Sequence, residues 1–211
     1  MLNILVRTSK RPKSFLKLME SLKSQTFQNY KLIVGTDDRE SLNYIKNFDI
    51  QDIFFIDKEK ILEDNPNPFP KKPTTAPYNL YMNFLQDKVL EGWIMYIDDD
   101  DYFIDENSLL TIFNEIQKSD KDTLIIWSMK FSNGFIVPKK NDLKRGPIQN
   151  FIGSPCFTFH VKYKQYAKWD QWRCSDFRVV NKLWEVIPKK NFMNKILVYV
   201  PNANGGKEIE N

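Results

Sequence analysis

The chain has 211 residues, 42% apolar and 14% aromatic, with a formal net charge of +4. That is enough to bury one sizeable core and hardly two, and it is too apolar for general disorder. Basic residues are scattered among acidic ones, which argues against nucleic-acid binding, and no apolar stretch reaches the length that spans a bilayer.

In "MLNILVRTSKRPK" the charge follows the apolar run, the reverse of a secretory signal. Cys156 and Cys174 are the only cysteines, and neither has a CxxC neighbour. A thiolate metal site is therefore not expected, and the expectation is a soluble, cytoplasmic, single-domain protein with reduced thiols.

Taken in chain order, Leu2–Arg7 reads as a short buried strand, and residues 13–24 place Phe15, Leu16, Leu18, Met19 and Leu22 on one face at helical spacing. A second strand, Tyr30–Gly35, runs into the paired acids Asp37 and Asp38. A weaker helix over 39–48 and a third strand over Asp52–Asp57 complete the alternation of a parallel α/β sheet. Residues 63–77 then hold five prolines between Pro66 and Pro77, which no helix interior or central strand accommodates. A long loop is predicted there, of a kind that is often functional. Further on, the pattern predicts helices over 78–90 and 106–119 and strands over 93–97 and 123–131. Ser132-Asn133-Gly134 signals a hairpin turn. A strand over 154–161, a helix over 175–187 capped by Ser175 or Asp176, and a last strand over 195–200 follow.

The segment "GWIMYIDDDDYFID" sets the chemical question. An apolar strand ends on four consecutive carboxylates, Asp98 to Asp101. Two like charges about 5 Å apart repel by roughly 3 kcal/mol at an effective dielectric near 20. A solvated loop would dilute that cost and a bound cation would reverse it. In open α/β sheets the ligand crevice lies outside the carboxyl ends of the strands, so Asp37 and Asp38 are expected to share a rim with Asp98–Asp101. Alternation along an extended backbone would put Asp98 and Asp100 on one side and Asp99 and Asp101 on the other. A few carboxylates with open positions suit Mg²⁺ or Mn²⁺ bridging to a phosphate. Phe103 stands where an EF-hand loop needs glycine, and neither GxGxxG nor GxxxxGK[ST] is present.

The stretches "VRTSKRPKSFLKLMESLKSQTF", "YKLIVGTDD", "APYN" and "MYIDDDD" occur in the order and spacing seen in family-2 glycosyltransferases, and the chain resembles that family. Its small size is also similar to that of the glycosyltransferase domains that chlorella viruses encode for capsid glycans. Departures are Arg7, where the family usually has proline, "GTDDRES" in place of "VDDGSxD", and Pro77-Tyr78 in place of an Ala-Arg pair. The resemblance implies a GT-A fold: α/β, Rossmann-like, with a mixed, mostly parallel central sheet flanked by helices. Residues 1–211 would form one such domain, with nucleotide-sugar and metal binding in 1–105 and acceptor binding in 106–211.

The resemblance also implies roles. Thr8 and Asp37 would contact the nucleoside, Asp37 accepting from the base imide N–H. Arg11, with Lys71 or Lys72, would meet the pyrophosphate. Asp98 and Asp99 fall on the nucleotide, Asp98 near the ribose, and Asp100 would hold Mn²⁺ or Mg²⁺. Asp176 would be the catalytic base. The "IGSPCF" and "KWDQW" segments would line the acceptor side, where Trp169 and Trp172 would stack on acceptor sugars. The implied reaction moves a sugar from a nucleotide-sugar, a UDP-sugar above all, to a hydroxyl of a glycan or glycoprotein, with inversion.

Each assignment has a plainer counterpart. The four aspartates can be a solvated turn, and Asp37, Asp38 and Asp176 can be turn or cap residues. The tryptophans can be core aromatics, and Arg11, Lys71 and Lys72 solvated cations. His160, in an apolar stretch, reads as structural. Rival functions are a metal-dependent phosphohydrolase or nucleotidyltransferase, and a non-catalytic nucleotide-sugar-binding module.

Overall fold

The structure, a computed structural model, describes residues 1–68 and 74–201. The first half alternates strand and helix: β1 (Leu2–Arg7), α1 (Pro12–Lys23), β2 (Tyr30–Thr36), α2 (Ser41–Ile45), β3 (Asp52–Phe55), α3 (Lys58–Asp64), α4 (Leu80–Asp87) and β4 (Trp93–Tyr96). Then come β5 (Tyr102–Phe103), α5 (Ser108–Lys118), β6 (Thr123–Phe131), β7 (Ile136–Val137), β8 (Phe157–His160), α6 (Ser175–Val186) and β9 (Lys189–Val200). The strands form one sheet in the order β3-β2-β1-β4-β8-β6-β9-β5, with β7 paired to β6. β3, β2, β1 and β4 run parallel, β8 runs against β4 and β6, and β6 and β9 are again parallel. This is the mixed, mostly parallel α/β sheet expected for the GT-A class.

Register explains why the site forms where it does. β1 lies between β2 and β4, with Leu2 opposite both Tyr30 and Trp93. The three strands therefore finish at one edge, where Thr8, Asp37 and Asp98 emerge together. Leu2, Ile4, Leu5 and Val6 are fully buried, as a parallel strand covered on both faces should be. Asn3 is the polar exception, and its Nδ2 donates to the carbonyls of Glu91 and Trp93 at 2.9 and 3.0 Å. α4 packs on β1 and β2. A Cβ at Gly35 would lie 2.6 Å from Ile56 Cδ1 and 2.9 Å from Leu85 Cδ2, so glycine permits that approach.

Gln25 joins α1 to the far side of the aspartate run. It donates to the Asp105 carbonyl at 2.8 Å and accepts from Leu109 N at 2.8 Å. Ser21 Oγ accepts from Phe103 N at 3.4 Å. The Ser-Leu-x-x-Gln pattern at the end of α1 thus holds the chain leaving Asp98–Asp101.

The structure departs from the predicted elements in several places: β9 begins at Lys189 rather than 195, and only Phe157–His160 of the strand expected over 154–161 is extended. α3 forms over Lys58–Asp64, just ahead of the prolines, because Asp57 accepts from Lys60 N at 3.1 Å and caps it. β5 has two residues, too few for any periodic signal, and exists through its pairing with β9. The start of α6 is capped by neither Ser175 nor Asp176. Cys174 occupies the cap with a left-handed backbone, φ 59°, and Ser175 Oγ accepts from Asp170 N instead. Both cysteines are free thiols. No helix among the described residues is long and apolar enough to cross a membrane.

Candidate active site

Two clefts open along the shared edge. A cleft of about 290 Å³ is lined by the ends of β1 and β2 and by the aspartate turn, including Thr8, Arg11, Asp37 and Asp99. A larger one of about 530 Å³ lies toward β6 and α6 and includes Asp101, Ser154, Trp169 and Asp176. Arg7, Tyr78, Asp98 and Asp100 line both, so the clefts meet across these four side chains.

The aspartates are neither a solvated loop nor dependent on an external cation alone. Asp101 N donates to the Asp98 carbonyl at 3.1 Å, closing a turn rather than continuing an extended strand. The backbone turns here, yet the side chains keep the grouping expected from alternation, Asp98 with Asp100 and Asp99 with Asp101. Asp99 and Asp101 are buried, and Asp98 and Asp100 are partly exposed where the clefts meet. Two arginines of the chain itself offset the charge. Arg7 Nη2 lies 3.1 Å from Asp98 Oδ1, and Arg11 Nη1 lies 3.0 Å from Asp99 Oδ1 and 3.1 Å from Asp100 Oδ2. Burial pushes the Asp99 carboxyl up to about 6 against the pull of Arg11 and a hydrogen bond from Thr8. Asp101 is pushed well above the usual carboxylate range by burial, with the other three aspartates adding to it.

On the smaller cleft the paired acids after β2 divide their work. Asp38 Oδ2 accepts from Ser41 N at 2.8 Å and Ser41 Oγ at 2.7 Å, so it is the turn residue, and these bonds hold it below the usual carboxylate range. Asp37 faces the cleft: Oδ2 accepts from the Tyr81 hydroxyl at 2.8 Å, while Oδ1 is buried with no partner among the described residues. Thr8 also lines the cleft, its hydroxyl 2.8 Å from that of Tyr44. Lys71 and Lys72 lie outside the described residues.

On the larger cleft Asp176 is the acid of the first turn of α6. Burial pushes its carboxyl up to about 6, opposed by a hydrogen bond from the Phe177 backbone, with Asp98 adding to the rise. Trp169 is 4% exposed and packs edge-on against Tyr96 with centroids 5.0 Å apart, which makes it a floor of the cleft. Trp172 is half-buried and is not among the lining residues of either cleft. Its carbonyl accepts from Asn79 Nδ2 at 2.9 Å, while Asn79 Oδ1 accepts from Arg7 Nη1 at 2.6 Å. Asn83 holds the Trp169 backbone in both directions, at 2.8 and 2.9 Å. The 169–172 segment is thus fastened to the start of α4.

Arg7, Tyr78 and Tyr81 are site residues that the sequence did not single out, whereas Ser154 lies in the "IGSPCF" segment expected to line the acceptor side, and that segment does line the larger cleft. Arg7 carried a usable signal, since the last residue of a strand one register step from the aspartate strand must face the crevice. Tyr81 carried none, because its partner Asp37 is distant in sequence.

The residues that could hold a hard divalent cation are the carboxylates where the clefts meet, Asp98 and Asp100. Asp100 is partly exposed where the clefts meet and pairs with Arg11 at 3.1 Å, and both oxygens of Asp98 have protein donors, Arg7 at 3.1 Å and Ser154 Oγ at 2.7 Å. No group of three or more His, Cys, Asp or Glu able to hold a metal occurs among the described residues. With so few carboxylates, a Mg²⁺ or Mn²⁺ there would be held by one or two of them and would need substrate phosphate and water to complete its shell.

No protein-family model matches the sequence, and no curated protein matches it at a significant level. The fold is nevertheless that of known glycosyltransferases. The chain superimposes on residues 1–349 of S. aureus TarS, a glycosyltransferase, with a TM-score of 0.72 at 15% identity, covering 95% of this chain and 60% of that one. TarS 1–349 in complex with UDP-GlcNAc gives 0.71 at 15% identity over 97% of this chain and 59% of that one. The complex with UDP gives 0.71 at 14% identity, over 95% and 60%. The chain thus spans about 60% of the length of the TarS fragment it matches.

Proposed function

We propose that this chain is a metal-dependent GT-A glycosyltransferase that moves a sugar from a UDP-sugar to a hydroxyl acceptor, a glycan or glycoprotein, with inversion. The observation that carries the reading is the meeting of two clefts at Asp98, Asp100 and Arg7, with an orphaned acceptor at Asp37 on one side and a carboxylate with a raised pKa at Asp176 on the other. The binding of UDP and UDP-GlcNAc by TarS supports a uridine donor.

The donor takes the smaller cleft. Asp37 Oδ1 accepts the imide N–H of the base, which supplies the partner it lacks. Thr8 and Asp98 border the nucleoside, with Asp99 behind them holding Arg11. Asp100 would hold the metal, which when bound neutralises the diphosphate and stabilises charge on it as it departs. The acceptor lies in the larger cleft over Trp169. Asp176 takes the proton of the attacking hydroxyl as its oxygen bonds to the anomeric carbon. The bond from that carbon to the phosphate oxygen breaks, and its electron pair leaves with the diphosphate. One displacement from the opposite face inverts the centre.

The test is a titration of UDP with and without Mn²⁺, followed by a screen of nucleotide-sugars for released UDP, GDP or CMP. Mn²⁺-dependent UDP binding that Asp100→Ala abolishes is expected. No UDP binding, together with an Asp100→Ala variant indistinguishable from wild type, would exclude the transferase reading and leave the phosphohydrolase and nucleotidyltransferase rivals.

A further inference from the structure

The boundary between the two clefts is formed by one cation, one tyrosine and two carboxylates, and the cation is Arg7. Arg11 lines only the smaller cleft and is held by Asp99 and Asp100. Arg173 lines only the larger one. Arg7 is oriented from three sides: Nη1 donates to Asn79 at 2.6 Å, Nη2 donates to Asp98 at 3.1 Å, and the guanidinium carbon lies 4.7 Å from the Tyr78 ring centroid. A guanidinium carries five N–H donors, so these two bonds leave about three for a ligand. With a side-chain exposure of 16%, its charge is little screened by solvent.

We propose that Arg7 binds the phosphate of the donor that carries the sugar, and so selects a nucleoside diphosphate-sugar over a nucleoside monophosphate-sugar. This rests on the placement of donor and acceptor given above. If the nucleoside occupies the smaller cleft and the acceptor the larger, the bond that breaks lies at their junction. The electron pair of that bond passes to the distal phosphate oxygen, and Arg7 meets the charge it brings. The proton released by the acceptor goes to Asp176. A planar fork matches two phosphate oxygens at once, which a lysine ammonium does not. The site has Tyr78 stacked on the guanidinium and Asn79 fixing its plane, so the fork is aimed before substrate arrives.

The experiment measures the affinities of UDP and UMP, with Mn²⁺, for wild type, Arg7→Gln and Arg7→Lys. Arg7→Gln is expected to weaken UDP about tenfold or more, while UMP changes less than about twofold, and Arg7→Lys to recover part of the loss. The rate of transfer or of slow donor hydrolysis should fall further than UDP affinity does, since the charge is greatest as the bond breaks. An equal loss for UDP and UMP would make Arg7 only a support for Asp98 and Asn79 and overturn the proposal. Unchanged UDP affinity would overturn it as well. If Arg7→Gln does not fold, the UDP-to-UMP ratio of Arg7→Lys decides on the same criterion. A wild-type protein that binds neither nucleotide refutes the uridine-donor reading on which the proposal rests.

Discussion

Ser154 donates a 2.7 Å hydrogen bond to Asp98 Oδ2, across 56 residues of chain, and joins the aspartate turn to the wall of the larger cleft. Arg7 holds the other oxygen of the same carboxylate. Asp98 is therefore fixed from both clefts before any substrate binds.

Ser154→Ala removes the donor of a charge-assisted bond. Such bonds contribute about 1.5–3 kcal/mol, and partial exposure of Asp98 lets water replace some of that, so a loss of about 1 kcal/mol is expected by urea unfolding. Transfer should slow about tenfold with a smaller loss of UDP affinity, because Asp98 keeps Arg7 but loses its second anchor where the clefts meet. A variant with full activity would assign the bond to stability alone.

Asp37→Asn changes the acceptor that is expected to read the base. A buried unsatisfied acceptor costs about 1–3 kcal/mol, and a uracil imide N–H relieves it where a cytosine ring nitrogen cannot. Wild type should favour UDP over CDP by roughly tenfold, and Asp37→Asn should erase that preference in a competition assay. A preserved preference would place base recognition elsewhere.

Asp176→Asn should leave UDP affinity intact and lower turnover by about 10²–10⁴-fold. The base works only when deprotonated. With burial holding its carboxyl at about 6, turnover should fall tenfold per pH unit below that value and level off above it. An acid limb near 4, as for an exposed aspartate, would argue against Asp176 as the base.

Asp101 is buried among three other aspartates, and its carboxyl is raised well above the ordinary range. Between the unfolded value near 4 and the folded value, the folded protein keeps a proton that the unfolded chain has released. Folding stability from this group therefore falls as pH rises through that window. Asp101→Asn removes the penalty, so its melting temperature should exceed that of wild type at pH 8 by more than it does at pH 5. The reverse order would mean that the charge of Asp101 is stabilised by a partner.

Much of the fold was legible in the sequence. The apolar runs of β1, β2 and β4, the helical spacing in α1 and α5 and the Asn133-Gly134 turn mark elements by local periodicity alone, and parallel strands imply carboxylates gathered at one edge. Most candidate side chains do lie on that edge, though Trp169 is a floor and Trp172 stands off both clefts. What the sequence left open was partnership. Alternation read from the four aspartates does group Asp98 with Asp100 and Asp99 with Asp101, but the turn closed by the bond from Asp101 N to the Asp98 carbonyl and the arginines that meet these carboxylates are not written in the run itself. Arg7 reads as a departure from a motif, and only the packing of α4 beside β1 brings Asn79 and Tyr78 around it. Periodicity reports burial over a few residues, because side chains recur every two or every three to four positions along one element. The bonds that assemble the site, such as Arg7 to Asp98 and Asn79 to Trp172, span 91 and 93 residues and exist only through the register of the sheet and the docking of its helices.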